Sequence, residues 1–454
     1  MRLKRYETVI GCRVGLLISA ACLLLAGAAR VSAQEEMLVG VEPKRDRPNG
    51  FGVWVSRIQS DNLFDQSVPI RGGYESIGVV MDVKHDAKRV DLVAEGNLAY
   101  HHFAFAGVDD EPLGVVNLQA TLKPVPERFT WTFQEGYGQD LLNAFGANTP
   151  LNRESYTLFT TGPQLRLPVG DRTFFTLGST YQNRDFADTD VRDSKSVQNE
   201  IGAYRKLSSI STVGIVATAS TVEFNAGPTP FKYDLSSELV RYEKGFASGG
   251  IVAQAGRNEI KIGSLAIDGP LVSLAWRRSV GRRSRFTISA SHEFTDAGTL
   301  LNLRMGRINA EAIQEILPTP DPEELKRVGA RFELDGLRTY FSIGLTKMQE
   351  DYENNSNLDN KAHDMQITVE RQLSRRFVLG ANIGTLHRDF VVRGKVTDKI
   401  STVKLDRKMG ENLLLSFRVE TAGREAGADA FDRLFYEIRF AYSRGGKPAP
   451  GGGL

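Results

Sequence analysis

Cysteine is nearly absent from this chain: two among 454 residues, Cys12 and Cys22, both close to the N-terminus. Long hydrophobic runs are missing too, for after residue 33 nothing approaches the 18 or more apolar residues of a membrane helix. The first absence excludes a disulfide framework and a thiolate metal site in the body of the protein. The second leaves closed β-structure as the only way for the chain to span a bilayer, because every backbone group must then be paired within the sheet. Histidine is sparse as well, at positions 85, 101, 102, 292, 363 and 387. None forms a His-Glu-x-x-His zinc site, and neither a Gly-x-Ser-x-Gly elbow nor a phosphate-binding loop occurs. His101 and His102 fall on opposite faces of a strand, which spoils them as joint ligands. The expectation is a protein that is not an enzyme, with no catalytic residues, no cofactor and no bound metal.

What is present begins with an export signal. Arg2, Lys4, Arg5 and Arg13 form a basic start, Val14 to Ala29 an apolar core, and Val31-Ser32-Ala33 a small-residue cleavage site before Gln34. The apolar core is short for a span, so cleavage is expected rather than anchoring. Cys22 follows Ser19-Ala20-Ala21, but Leu23 to Leu25 continue the apolar core and the usual preceding leucine is absent, so lipidation is not expected. Residues 1–33 hold five Lys/Arg and one acid; without them 57 basic and 55 acidic residues become 52 and 54, a net charge of −2. That balance gives no footprint for nucleic acid.

Past the leader, apolar and polar residues alternate in short segments. Leu434, Tyr436, Ile438, Phe440 and Tyr442 share one face of a strand, while Glu437, Arg439, Ala441 and Ser443 share the other. The same holds for Leu413, Leu415, Phe417 and Val419 against Ser416, Arg418 and Glu420, for Met365, Ile367 and Val369 against Asp364, Gln366, Thr368 and Glu370, and for Phe129, Trp131 and Phe133 against Thr130, Thr132 and Gln134. One face suits lipid and the other water. A soluble sandwich can alternate in this way too; number and rhythm separate the two.

From Phe51 onward there are about twenty such segments. Tight turns fall near 86–88, 124–127, 169–171, 207–209, 281–283, 335–336, 374–375 and 409–411. Longer polar connections lie between them at 59–71, 140–151, 297–324, 350–361, 393–399 and 422–430. Short periplasmic turns opposite long external loops are the signature of outer-membrane barrels. The expected fold is all-β: an antiparallel up-and-down transmembrane β-barrel of about 18–20 strands around an aqueous lumen. The segments at 247–267 and 399–407 are weak, which leaves the count open. The barrel takes residues 50–443, after the signal peptide 1–33 and a polar periplasmic lead-in 34–49, and before a flexible Gly/Pro tail at 444–454. The expected location is the bacterial cell outer membrane.

Several motifs resemble a group of outer-membrane β-barrel proteins from exopolysaccharide loci, including those tied to exosortase (PEP-CTERM) systems. Ser60-Asp61-Asn62-Leu63-Phe64 resembles the group's Asp-x-Asn opening, and Asn152-Arg153-Glu154-Ser155 leading to Gly162-Pro163-Gln164-Leu165-Arg166-Leu167 its Asn-Arg…Gly-Pro strand. Met409-Gly410-Glu411-Asn412-Leu413 with residues 431–442 is similar to its final hairpin. The resemblance extends loosely over residues 51–443 and implies a part in secreting or assembling extracellular polysaccharide, with no defined catalytic residues. Barrels often end on an aromatic residue read by the assembly machinery; here twelve residues follow Tyr442, so the final strand is expected to supply an internal version of that signal.

The faces opposite the lipid define candidate lumen-lining residues: Asp91, Glu95, Arg166, Arg277, Arg327, Arg331, Glu333, Asp364, Glu370, Arg418, Glu420, Glu437 and Arg439. Mixed charge suits a polar polymer without strong ion selectivity, which needs rings of one sign; the same residues would also serve to pair across strands and stiffen the wall. Tyr100, Phe103, Phe105, Trp131, Tyr137, Phe174, Phe175, Tyr181 and Phe186 read chiefly as membrane-interface girdles, with a lumenal sugar-stacking row as the other reading. In the longest loop, Asn309 to Leu317 has helix formers stopped by Pro318, and Asp321-Pro322-Glu323-Glu324-Leu325 has the form of a second helical start. A constriction, a lid and a surface loop all remain open for it. The oxygen-rich stretch Glu350 to Asn360 lacks the central Gly and final Glu of a calcium loop and reads as a solvated connection.

The sequence thus points to a conduit or docking component for exopolysaccharide secretion. A general diffusion porin for small polar solutes and a non-conducting surface scaffold are the alternatives. Expected partners are outer-membrane lipid, polysaccharide or another polar solute, periplasmic export machinery at the short turns, and the barrel-assembly machinery at the strand ending near Tyr442.

Overall fold

A computed structural model describes residues 50–103, 110–141, 152–225, 231–295, 322–353, 355–392, 394–426 and 430–444. The expected signal, the lead-in, the tail from Gly445, Phe105 and the Asn309–Leu317 stretch lie outside the described residues; Arg444, expected to open the tail, belongs to the last strand and pairs with Phe51. Twenty antiparallel strands make one sheet. The first ten are β1 (Gly50–Ser60), β2 (Gly72–Asp86), β3 (Val90–Phe103), β4 (Glu111–Val125), β5 (Phe129–Leu141), β6 (Arg153–Val169), β7 (Thr173–Phe186), β8 (Ser194–Ser208), β9 (Ser211–Phe224) and β10 (Phe231–Phe246). The second ten are β11 (Gly249–Ile262), β12 (Leu265–Val280), β13 (Ser284–Thr295), β14 (Glu323–Asp335), β15 (Thr339–Tyr352), β16 (Asn360–Gln372), β17 (Phe377–Phe390), β18 (Gly394–Lys408), β19 (Leu413–Glu425) and β20 (Phe431–Arg444). Each strand pairs with its sequence neighbours, and β1 pairs with both β2 and β20, in register from Phe51↔Arg444 to Ser60↔Phe435. The sheet therefore closes on itself and has no free edge.

The period-2 pattern decides which face each residue takes. On β20 Tyr436, Ile438, Phe440 and Tyr442 are exposed on the outside, while Glu437, Arg439 and Ser443 are buried within. Phe51, Val53 and Val55 on β1, Trp131 and Phe133 on β5, and Leu413, Phe417 and Val419 on β19 continue the outward apolar belt. Such a belt on a closed barrel is the surface that acyl chains cover, and it defines an outer-membrane protein. The nine connections on the side of the chain ends span two to four residues, which sets that side as periplasmic.

The two weak segments are strands, so the count is twenty. β11 opens on Gly249 at φ +152°, where a Cβ would stand 2.0 Å from the Arg277 carbonyl; only glycine permits that approach. Its low apolar content reflects Gly249, Gly250, Ala253, Ala255 and Gly256, positions held by pairing on both sides. The expected loop at 393–399 is corrected in the same way: β18 begins at Gly394 (φ +74°), and Lys395 to Lys399 pair with β17. Likewise β19 continues to Glu425. The helical start at 321–325 is overturned as well, because Glu323 to Leu325 pair with Thr295 to Glu293 and with Tyr352 to Glu350. A ladder on both flanks satisfies more backbone groups than one isolated helical turn.

Candidate functional site: the barrel interior and its extracellular closure

By register and burial, the thirteen charged positions read as lumen-lining lie on the inward face. Directly opposed residues share a face, and the pairs Asp91↔Thr121, Glu95↔Asn117, Arg166↔Thr176 and Arg277↔Thr287 run along one arc. Arg327↔Met348, Arg331↔Gly344, Glu333↔Ser342, Asp364↔Thr346 and Glu370↔Tyr340 run along another. Arg418↔Glu437, Glu420↔Phe435 and Arg439↔Ser416 complete the set at the seam.

These residues do not form one site. Arg418, Glu420, Glu437 and Arg439 come together where the barrel closes. Arg418 is bonded to Glu420 and lies 3.7 Å from Glu437, whose other oxygen takes Arg439 at 2.7 Å. Arg433, which the pattern of charges had not singled out, joins them, 3.0 Å from Glu420 and 2.9 Å from Asp65. Arg439 also stacks 4.2 Å over the Trp54 ring, whose Nε1 donates to Asn97 Oδ1 at 3.0 Å. Glu333 receives Arg331 at 3.0 Å and Arg285 at 3.7 Å. Asp91 receives Lys123 at 2.6 Å and Glu95 binds Lys84. Most of these charges are thus engaged with the wall.

Exposure changes along the barrel. On the inward face of β3, Asp91, Val93, Glu95 and Asn97 are half-exposed, whereas Ala99, His101 and Phe103 are buried. On β6 the buried residues are Glu154, Tyr156 and Leu158, and on β16 Asn360 and Ala362, again at the extracellular ends. Towards the periplasm Thr160 and Arg166, and Asp364, Gln366, Thr368 and Glu370, are half-exposed.

Apolar clusters contribute to this burial at the extracellular mouth, together with buried polar groups such as Glu154, Glu323 and Glu350. Tyr156 and Leu158 from β6 and Phe186 from β7 pack against Leu325 of β14, Met348 of β15 and Ala362 of β16. These strands lie far apart around the ring, so the contact joins opposite walls. A second cluster gathers Val222, Phe224, Tyr233, Ile260 and Phe294 at the same end. A third brings Leu63 and Phe64 of the first loop against Phe103. The aromatic reading therefore divides by strand parity. Tyr100, Trp131, Phe175 and Tyr181 face outward, while Phe103 and Phe186 fill the mouth and Phe174 stacks on Tyr204 within, under the Arg166 guanidinium at 3.9 Å.

Two loops fold inward over these clusters. In the first, Asn62 is fully buried; its Nδ2 donates to the carbonyls of Gln66 at 2.8 Å and Asp432 at 3.1 Å, and its Oδ1 accepts the Gln66 N–H. Asp61 Oδ1 accepts the Leu434 N–H at 2.7 Å. The Asp61-Asn62 motif thus stitches the loop to β20. Asp65, on the same loop, has its pKa raised to about 6, because burial outweighs the attraction of Arg433. In the loop after β7, Arg192 pairs with buried Glu154 and lies 4.2 Å over the Phe186 ring. Asp193, raised to about 6 by burial, accepts the Phe186 N–H at 2.7 Å. The 350–360 stretch is likewise committed internally: Asn360 donates to Glu350 at 2.8 Å, and Asp359 accepts the Tyr352 N–H at 2.7 Å.

Closure, outward apolar belt and short periplasmic turns define the chain as an outer-membrane β-barrel. No model of a known protein family matches it, and no curated protein does. Solved structures that are similar include the siderophore receptor PirA from Pseudomonas aeruginosa, with 9% identity and a TM-score of 0.43 over 87% of this chain and 80% of that one. The FrpB iron transporter from Neisseria meningitidis is 6% identical, with a TM-score of 0.47 over 87% and 82% of the two chains. The ferric citrate transporter FecA is 9% identical, with a TM-score of 0.43 over 87% and 79%. The likeness is one of barrel architecture alone.

Proposed function

We propose that this barrel is a conduit or docking component for exopolysaccharide secretion, held closed at its exit by contacts between opposite walls. The observation that carries the reading is the division of the interior. Its periplasmic half presents half-exposed groups of both signs, while among the described residues its extracellular end is packed with buried side chains, an apolar cluster spanning from β6 and β7 to β14–β16 among them. A wall of mixed charge gives a hydroxyl-rich polymer many hydrogen-bond partners without the ring of one sign that selects ions. Closure by side chains lets two walls separate without unfolding a strand. A general diffusion porin needs a continuous aqueous path, and the apolar cluster that joins Leu158 of one wall to Leu325 of the other counts against it. A scaffold barrel is the second reading, supported by the Arg418–Glu420–Arg433–Asp65 network that stiffens the seam.

The test is surface and secreted polysaccharide in a deletion strain and in the same strain with the gene restored. Loss on deletion and recovery on restoration is expected. Unchanged polysaccharide would sink the proposal, and solute-uptake measurements would then decide between porin and scaffold.

A further inference from the structure

Above the apolar belt the outer wall carries a rim of charged side chains, and around most of the barrel that rim is neutralised. Arg57 meets Glu75 at 3.8 Å, His102 meets Asp110 at 2.9 Å, Arg257 meets Glu238 at 3.2 Å and Lys261 meets Glu259 at 2.7 Å. Farther round, His292 and Lys326 share Glu324, and Lys399 binds Glu425. Lys195 and Lys232 flank Glu223 in register.

Strands β15 to β17 break the rule. Lys347, His363 and His387 stand directly opposite one another in the register, Lys347↔His363 and His363↔His387, and all three are exposed on the outward face. Lys361 lies one outward position above His363. Among the described residues no carboxylate lies within ion-pair distance of Lys347, Lys361 or His363. The one acid in register beside them is Asp389, opposite Lys361 and, across β17, opposite Lys395. Neighbouring strands are about 4.8 Å apart, so the row spans roughly 10 Å. Immediately below it the outward face is apolar: Leu345, Met365 and Ile383, with Leu345 and Ile383 about half exposed.

We propose that this row is a binding site for a phosphorylated glycolipid of the outer leaflet, its acyl chains against Leu345, Met365 and Ile383 and its headgroup phosphates on Lys347, His363 and Lys361. The charge complement suits an anionic headgroup, because ammonium groups make strong charge-assisted hydrogen bonds to phosphate as they do to carboxylate. The position is specific to lipid, because a free anion has no use for the apolar surface below. Long lysine stems reach upward from that surface while keeping their charge in water.

The full chain, purified from outer membranes in mild detergent, is assayed for retained lipopolysaccharide by native mass spectrometry and phosphate analysis. Each lysine beside an anionic headgroup changes affinity about fivefold, so K347Q/H363Q/K361Q is expected to lower retention by at least about tenfold. R257Q/K261Q, on a neutralised part of the rim, is expected to retain lipid like the parent. Equal retention by both variants overturns the site. Reloading the delipidated barrel separates headgroup from tail, since lipopolysaccharide should bind more tightly than its enzymatically dephosphorylated form, and equal binding of the two refutes recognition of phosphate. Heat-modifiability on SDS gels verifies folding; if the triple variant fails it, K347Q alone is read against the same criterion, with about fivefold expected and no change as refutation.

Discussion

Leu158→Ala with Leu325→Ala is the perturbation that speaks most directly to the closed mouth. Both side chains are essentially inaccessible, at 0% and 1% exposure, and they belong to one apolar cluster that spans the interior from β6 to β14. Shortening a buried leucine to alanine costs about 2–5 kcal/mol through lost transfer energy and a residual cavity. The two residues share a cluster, so their effects are not additive, and the lower figure for each gives about 4 kcal/mol. That cost falls on the closed arrangement. Once the walls part, these side chains face water in parent and variant alike, and the parent loses the burial that the variant never had. At a factor of ten per 1.4 kcal/mol the open-to-closed ratio rises roughly a thousandfold. The strand ladders are untouched, since the β6 and β14 backbones keep both neighbours. Planar-bilayer recording is the assay: the parent should show rare, brief openings and the double variant sustained conductance, while Thr132→Ala on the periplasmic half of the inner wall should behave like the parent. Steady wide conductance in the parent, or an identical record for parent and double variant, would refute the closure.

Other consequences follow from the loops and the seam. Asp65 has a folded pKa of about 6 against an ordinary 3.8. A raised pKa means that its contribution to docking the first loop is complete below about pH 4 and is lost as pH rises through 6, by about 3 kcal/mol in all. Hydrogen exchange over residues 61–71 should therefore quicken between pH 4 and 7 beyond the intrinsic rate change, and Asp65→Asn should flatten that trend; the same trend in the variant would refute it. Asn62→Ala removes three hydrogen bonds, with the Gln66 N–H, the Gln66 carbonyl and the Asp432 carbonyl, at about 1 kcal/mol each. The temperature at which the barrel unfolds on SDS gels should drop, and an unmoved midpoint would make the stitch incidental. Arg418→Ala takes one of two cations from each of buried Glu420 and Glu437, leaving Arg433 on the first and Arg439 on the second, and should cost about 3 kcal/mol, the low end for breaking a buried ion pair. Glu370→Gln, on a half-exposed part of the inner wall, exchanges a carboxylate for an amide of the same shape in a solvated setting and should cost at most about 1 kcal/mol. Urea titrations of the two variants in lipid vesicles separate these cases, and equal midpoints would contradict the burial difference.

How much of this was open to sequence reading depends on the range of the interaction involved. A strand's two faces are set by residues two apart, so the alternation at 434–442 or 413–419 already separates lipid from interior, and the thirteen charged positions follow from parity alone. The strand count was harder. β11 carries glycine and alanine where other strands carry large apolar residues, and its identity comes from β10 and β12, which hold its backbone on both sides. The mouth was beyond reach, because Leu158, Leu325 and Met348 are apolar residues on the polar parity of their strands, and a local pattern marks them only as exceptions. Their meaning appears when the ring closes and brings β6 opposite β14 and β15. Parity did hold one unused clue: Tyr100 and Phe103 are three residues apart, so they cannot belong to the same girdle, and the structure puts the first in the lipid-facing wall and the second under Leu63 and Phe64. The Asp61-Asn62 motif teaches the complementary point. Its side chains are spent on the backbone of the loop and of β20, so in this chain the motif marks the seam where the first strand finds the last and leaves the cargo unspecified.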